Sequence, residues 1–216
     1  MAISTLSKIT VPLDSSASAS NQGLLMPKLQ YRFRVSLEGF GVSAGEVTEL
    51  TKQVVDVTRP VVNFEEIEVH AYNSRAYLAG KHAWDPITLN LREDVTGGVQ
   101  KLVGEQMQKQ FDFFEQSSAA SGIDYKFTTR IEILDGGNGE AAGGVQTLET
   151  FELYGCFIQN ANYNTLAYAT NEPVTITLAI RYDNAVQFGP DNKQVGIGTD
   201  VGRTIGTLIT GGGNPG

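Results

Sequence analysis

The sequence has few of the residues from which most catalytic and metal sites are built. Its 216 residues include one cysteine, Cys156, and two histidines, His70 and His82. A single cysteine excludes an intrachain disulfide and a cysteine-rich metal site, and we interpret Cys156 as a small buried hydrophobe in a strand. The histidines are not at HExxH spacing, and no GxSxG or phosphate-loop sequence accompanies them. The sequence therefore predicts neither an enzyme nor a cofactor or metal site.

Basic residues and long apolar runs are also scarce. The chain carries 16 Lys and Arg against 24 Asp and Glu, a formal net charge of −8. Nucleic-acid affinity depends largely on Lys and Arg that displace counterions, so a tight phosphate-binding surface is not expected. No run of 18 apolar residues occurs and the start lacks a secretion-signal pattern, so we expect no membrane contact and a cytosolic product.

Alternation of apolar and polar residues is the main pattern that is present. It predicts strands, because side chains alternate between the two faces of a strand. The predicted strands cover 29–37, 50–57 (weaker), 64–69, 87–92, 125–133, 148–158 and 174–182. One helix is predicted from about Gly98 to Glu115, with an apolar stripe and a capping oxygen from Asp94 or Thr96. The stripe comprises Val99, Leu102, Val103, Met107, Phe111 and Phe114.

This order predicts a mainly β protein, an antiparallel β-sandwich or partly open barrel with one flanking α-helix. We expect a flexible Ser/Ala-rich segment over 1–27, the β domain over 28–187 and a Gly-rich tail over 188–216. A Gly-rich loop is also predicted within the β domain, over Gly136–Gly144.

The segment from Phe64 to Asp94 carries the strongest functional indication. Ile67 and Val69 alternate with Glu66 and Glu68, which predicts a half-buried strand with a solvated acidic face. The connector His70–Lys81 is too long for a tight turn, and loops of this length are usually functional. Its residue types are those of interface anchors, although an ordinary surface loop is the alternative. The predicted inter-subunit contact residues are His70, Tyr72, Asn73, Arg75, Tyr77 and Trp84.

Together these pieces resemble the tail tube proteins of contractile-tailed bacteriophages and the related tubes of contractile injection systems. The resemblance covers roughly residues 27–187 and concerns layout and strand character. The segments that carry it are YRFRVSLEG at 31–39, the arm at 64–82, TLNLRED at 88–94, the helix region with Phe111, Phe113 and Phe114, and VTITLAIRYD at 174–183.

The resemblance implies a structural subunit that assembles as stacked hexameric rings around a negatively charged conduit for DNA. It implies that the arm reaches an adjoining subunit or ring and that carboxylates line the lumen, with Glu66, Glu68 and Glu152 as candidates. The implied partners are further copies of the chain, a tail sheath protein, and tape measure and baseplate proteins, with DNA in transit without specific binding. The implied location is the virion, after assembly in the host cytoplasm.

Three alternatives remain open from the residues. One is the inner tube of a contractile injection system that passes a protein. The second is a carbohydrate-binding β-sandwich module, for which Tyr163 and Tyr168 in the 159–171 loop offer an aromatic platform. The third is a carboxylate-dependent hydrolase that uses Glu66 and Glu68.

Overall fold

The computed structural model describes residues 27–42, 47–137 and 145–199, with the backbone alone for 47–49. The chain divides into two compact units, Met1–Arg32 and Phe33–Gly216. The described part of the first unit is a turn, in which the Arg32 N–H donates to the Leu29 carbonyl at 3.2 Å. The strand predicted over 29–37 therefore begins only at Phe33.

The described part of the second unit contains eleven strands and two α-helices. In chain order they are β1 Phe33–Glu38, α1 Val47–Lys52, β2 Val54–Val57, β3 Val62–Ala71, β4 Ser74–Trp84, β5 Ile87–Arg92, α2 Gly98–Gln110, β6 Phe111–Asp112, β7 Ser117–Ser118, β8 Phe127–Leu134, β9 Thr147–Asn162, β10 Thr175–Arg181 and β11 Asn184–Phe188.

Seven of these strands form the main antiparallel sheet. Their order is β1-β8-β9-β10-β5-β2, and β11 pairs with β9. The 16-residue β9 joins two halves, because residues 147–156 pair with β8 and β11 while residues 157–162 pair with β10. The sheet is not closed into a barrel. This arrangement confirms the predicted mainly β, antiparallel fold.

The core lies against one face of each half of the sheet. Alternate residues of β5 and β10 are fully buried, and their neighbours on the opposite face are half-buried, apart from the exposed Arg92. The apolar stripe of α2, with Val99, Leu102 and Val103, joins the same buried cluster. Burial of each such side chain contributes about 1.5–3 kcal/mol before the entropy cost of ordering it.

Helix α2 is shorter than the sequence predicted, since it ends at Gln110 and not near Glu115. Phe111 is extended and starts β6, and the Asp112 carboxylate accepts from the backbone N–H groups of Phe114 (2.9 Å) and Glu115 (3.2 Å). These bonds lower the pKa of Asp112 and close a tight turn. The i, i+3 spacing of Phe111 and Phe114 is therefore not helical, and Phe114 is exposed.

The start of α2 agrees with the predicted cap. The Asp94 carboxylate accepts from the Gly98 N–H at 3.3 Å and from the Thr96 hydroxyl at 2.8 Å, bonds that lower its pKa. A second, short helix was not predicted: α1 occupies residues that were expected to begin a weak strand over 50–57, and only β2 of that strand forms.

Several predicted segments fall outside the described residues. They are residues 1–26 of the flexible segment, 138–144 of the Gly136–Gly144 loop and 200–216 of the Gly-rich tail. The predicted domain boundaries stay predictions. Residues 189–199, at the start of the predicted tail, return along β11, where the Val195 N–H donates to the Gln187 carbonyl at 2.9 Å. No helix within the described residues is long and apolar enough to cross a membrane.

Candidate assembly surface

The most distinctive surface is the hairpin of β3 and β4, which we call the arm. The two strands pair with each other from Val62 opposite Trp84 to Ala71 opposite Ser74, and with no other described strand. Ten residues of β3 correspond to a length of about 34 Å. The predicted connector His70–Lys81 is therefore wrong as a loop, because it is strand apart from the two-residue turn Tyr72–Asn73.

The two faces of the arm differ in chemistry. Glu66, Glu68 and His70 share one face with the cross-strand residues Tyr77 and Arg75. The Glu68 carboxylate lies 3.2 Å from Arg75 Nη1 and 3.7 Å from His70 Nε2. These groups are largely exposed, so the ion pairs add little to stability, about 0–1 kcal/mol. They orient the Arg75 and His70 side chains near the tip.

The other face of the arm is apolar, and the residues that the structure describes leave it uncovered. Ile67 is opposite Leu78, and Val69 is opposite Ala76. The exposed fractions of Ile67, Val69 and Leu78 are 51%, 42% and 57%. The prediction of a strand with one buried face is wrong here, since every residue of β3 after Val62 is exposed and β3 pairs only with β4 among the described strands. Sequence alternation identifies an apolar face but not whether the same chain covers it.

The base of the arm is fixed to the core. Trp84 is buried, with its ring 5.6 Å from the Tyr182 ring, so it differs from the other five predicted contact residues, which are exposed. The Asn63 side-chain amide donates to the Asp85 carboxylate at 2.7 Å, and the Asp85 N–H donates to the Val61 carbonyl at 2.9 Å. Trp84 and these bonds set the direction in which the arm leaves the sandwich.

A bulge interrupts the arm near its middle. The register shifts between Phe64, opposite His82, and Glu66, opposite Ala79. A Cβ atom at Gly80 would lie 2.9 Å from the Glu65 carbonyl oxygen, closer than real side chains come to backbone. Glycine is therefore required for this close approach. Bulges increase strand twist and make an edge less suitable for uncontrolled pairing.

The third candidate lumen carboxylate, Glu152, lies on β9 and not on the arm. Its carboxylate accepts from Arg130 Nη2 at 2.7 Å and from the Tyr154 hydroxyl at 2.5 Å. The bond from Tyr154 is the main cause of the raised pKa of that phenol. Arg130 also lies 3.0 Å from Glu38. The charge of Glu152 is thus largely compensated, whereas Glu66 and Glu68 are on the exposed arm.

A second concave surface is formed by the connection from β9 to β10, residues 163–174. It borders a half-open cavity of about 660 Å³. Tyr163 and Tyr168, the two predicted platform residues, line it together with Leu166 and Val174. Burial and, to a smaller extent, the Glu93 carboxylate raise the pKa of Tyr163. The sequence offered no signal for Leu166, which is exposed although it is apolar.

Comparisons with known proteins identify the fold. No protein-family model matches the chain, and no curated protein is significantly similar in sequence. A chain of the anti-feeding prophage cap, described as the AFP tube terminating cap, matches with a TM-score of 0.55 and 14% identity over 81% of this chain and 99% of that chain. A chain of the extended PVC sheath-tube complex, from an extracellular contractile injection system, gives 0.51 and 15% over 76% and 92%.

A chain of the six-fold symmetrised AFP baseplate also matches, with a TM-score of 0.51 and 12% identity over 77% of this chain and 98% of that chain. At such low identities the similarity concerns the fold. The fold predicted from the resemblance is confirmed: the chain has the architecture found in sheath-tube, tube-cap and baseplate assemblies of contractile injection systems.

Proposed function

We propose that the chain is a structural subunit of a contractile-tail tube that assembles as stacked hexameric rings and forms a conduit for DNA. The observation that carries the proposal is the arm, a long hairpin with uncovered edges and an uncovered apolar face on a fold of this kind. A two-stranded hairpin is marginally stable alone in water, and its free edges favour pairing with another chain.

The apolar face of the arm supplies a driving force for assembly. Full burial of Ile67, Val69 and Leu78 by a neighbouring subunit would contribute about 1 kcal/mol for each, since each is roughly half-exposed in the single chain. One such arm per subunit is repeated around every ring. The free energy that these contacts contribute therefore increases with each copy added to a stack, which favours extended assemblies over isolated dimers.

Charge supports passage of nucleic acid without retention. With a net charge of −8, the chain would give a lumen that repels phosphates, so that DNA slides and does not bind. Glu66 is the stronger candidate for a lumen-facing carboxylate, because Arg130 compensates Glu152 and Arg75 pairs with Glu68. Sheath, tape measure and baseplate proteins are the partners that this role requires.

A related function is favoured by one comparison. The AFP chain that matches over 99% of its length belongs to a tube-terminating cap. A terminator uses the same fold but stops growth at one ring. The distinction is therefore whether the chain polymerises or closes a tube made by another subunit.

Electron microscopy combined with sedimentation velocity tests these proposals. Hollow tubes of indefinite length indicate a repeating tube subunit, and single rings that bind a tube end indicate a terminator. Ile67→Glu should reduce assembly, because it places a charge on the apolar face, while Ile123→Glu is the matched control at another exposed isoleucine. Wild-type protein that stays monomeric at high concentration and on baseplates would contradict both functions.

Passage of DNA is tested separately in particles that contain the chain. Nuclease-protected DNA within the purified particle supports the phage tail. A protein cargo in its place would assign the conduit to an injection system.

A further inference from the structure

Hydrogen bonds made by Asn164 attach the two ends of the loop over 163–174 to the sheet. The Asn164 side-chain amide donates to the Thr175 carbonyl at 2.9 Å and to the Thr177 hydroxyl at 3.3 Å, and the Asn164 N–H donates to the Asn162 side chain at 3.0 Å. Asn164 has a φ of 54°, a conformation that asparagine tolerates better than most residues. These bonds hold the residues at the base of the cavity against β10.

The cavity combines apolar walls with a carboxylate. Tyr163, Leu166 and Val174 line it, and Glu172 supplies a negative charge. The cavity has a volume of about 660 Å³ and is open to solvent on one side. Leu166 is mostly exposed and Tyr168 completely so. The loop therefore offers apolar surface that its own copy leaves uncovered.

The tip of the arm has the complementary composition. Tyr72 is fully exposed in the two-residue turn, and it has a φ of 52°, which is unusual for a bulky residue. Arg75 is the second residue of β4 after the turn. Its Nη1 lies 3.2 Å from Glu68 of the same arm, and 64% of its side chain remains exposed. An aromatic ring and a cation thus face outward together. No arm residue lines the cavity of the same copy, so the two surfaces are not joined within one chain.

We propose that Tyr72 of one copy inserts into the 163–174 cavity of a second copy, where Arg75 faces Glu172. This inference rests on the tube function proposed above, because ring stacking is what brings the arm and loop of different copies together. The contact joins two different surfaces, so it does not saturate in a dimer. Such head-to-tail contacts close into rings or continue as stacks.

Disulfide cross-linking between copies tests the contact directly. In the double variant Tyr72→Cys/Leu166→Cys, mild oxidation should give a ladder of covalent oligomers. The matched control is Tyr72→Cys/Ile123→Cys, since Ile123 is exposed but outside the cavity. Docking raises the effective concentration of the thiols to about the millimolar range, so we expect cross-linking about tenfold faster than in the control. The natural Cys156 is buried and gives a low background.

A charge-reversal cycle covers the case in which Tyr72→Cys itself weakens docking. Arg75→Glu and Glu172→Arg should each raise the critical concentration for assembly about fivefold, and the double reversal should restore it. The proposed contact would be overturned if the effects of the two single reversals on the critical concentration simply added in the double variant and the cross-linking was no faster than in the control.

The outcomes separate this contact from the tube function. Tubes without the cross-link or the charge recovery overturn the contact and leave the function standing. Cross-linked ladders without tubes or rings support the contact and overturn the function. Absence of both overturns both, and saturable binding of an oligosaccharide at Tyr163 in that case assigns the cavity to a glycan.

Discussion

Replacement of Gln106 by leucine should lower the free energy of unfolding by about 2 kcal/mol. Gln106 is fully buried on α2. Its side-chain oxygen accepts from the Gly41 N–H at 3.0 Å, and its amide nitrogen donates to the Tyr125 carbonyl at 2.6 Å. One side chain thus joins the segment after β1 to the segment before β8, neither of which is in regular structure at that point.

The magnitude follows from the groups that the substitution leaves behind. The buried Gly41 N–H loses its partner at a cost of about 1–3 kcal/mol, and the half-buried Tyr125 carbonyl loses about 0.5–1.5 kcal/mol. The apolar surface of leucine offsets about 1 kcal/mol. For a chain of this size, the net loss corresponds to a fall in Tm of about 4–8 °C.

Denaturant unfolding followed by circular dichroism measures the effect, provided that the m-value stays constant. Gln100→Leu is the matched control, because Gln100 lies on the exposed face of the same helix. A difference between the two variants below about 0.5 kcal/mol would refute the reasoning, since surface substitutions fall within that range.

Gln106→Glu adds a pH test. Burial beside the Tyr125 carbonyl raises the pKa of the introduced carboxyl, so the variant should be least stable at neutral pH and recover stability as the pH falls below that pKa.

The further predictions concern two glycines and Cys156. Gly155→Ala in β9 should destabilise the protein, because Gly155 has a φ of 67° and its Cβ would lie 2.2 Å from the Asp183 carboxylate. Gly104→Ala in α2, where the Cβ would meet open space, should stabilise it by up to about 1 kcal/mol, and thermal melts of both variants check the opposite signs. Burial raises the pKa of the Cys156 thiol from 9.0 to about 11. The thiol therefore contributes fully to the free energy of unfolding below about pH 9, and this contribution is lost as the pH rises towards 11. Cys156→Ser should flatten the alkaline loss measured by urea titration. A wild-type-like loss would assign it to the tyrosines with raised pKa values, which are Tyr154, Tyr163 and Tyr182, and burial raises the pKa of Tyr182 to about 12.

The strands that bury one face could be predicted because their apolar residues alternate. β5 and β10 match the predicted segments within a residue or two, and their alternation is the burial pattern itself. β11 was not predicted. It is five residues long, has a single fully buried side chain, Ala185, and depends on pairing with β9 from a distant part of the chain.

The errors at the arm and at α2 both arise at local turns that the alternation and the helical spacing did not reveal. A two-residue hairpin turn is usually marked by Asn-Gly or a similar pair, and Tyr72–Asn73 gives no such signal. Without it, the sequence predicts β4 as part of a long connector between β3 and β5. At α2, Phe111 and Phe114 continue the helical spacing, but Asp112 binds backbone N–H groups and favours a turn.

The candidate site was only partly visible in the sequence. The exposed aromatic and charged residues of the arm could be named, because their types are enriched at interfaces. Which face of the arm is uncovered could not, since Ile67 and Leu78 have the composition of core residues. Nor could the cavity be predicted, because it depends on the side chain of Asn164 bonding across the loop to β10.

The distribution of uncovered apolar surface separates folding from assembly. The sandwich covers its own core, from β5 and β10 to the stripe of α2, and needs no partner to do so. The arm leaves apolar side chains uncovered along most of its length and rests on the core only at its base, through Trp84. A subunit built this way can fold first as a single chain. In the tube function proposed above, burial of the arm's apolar face would follow folding and contribute to association.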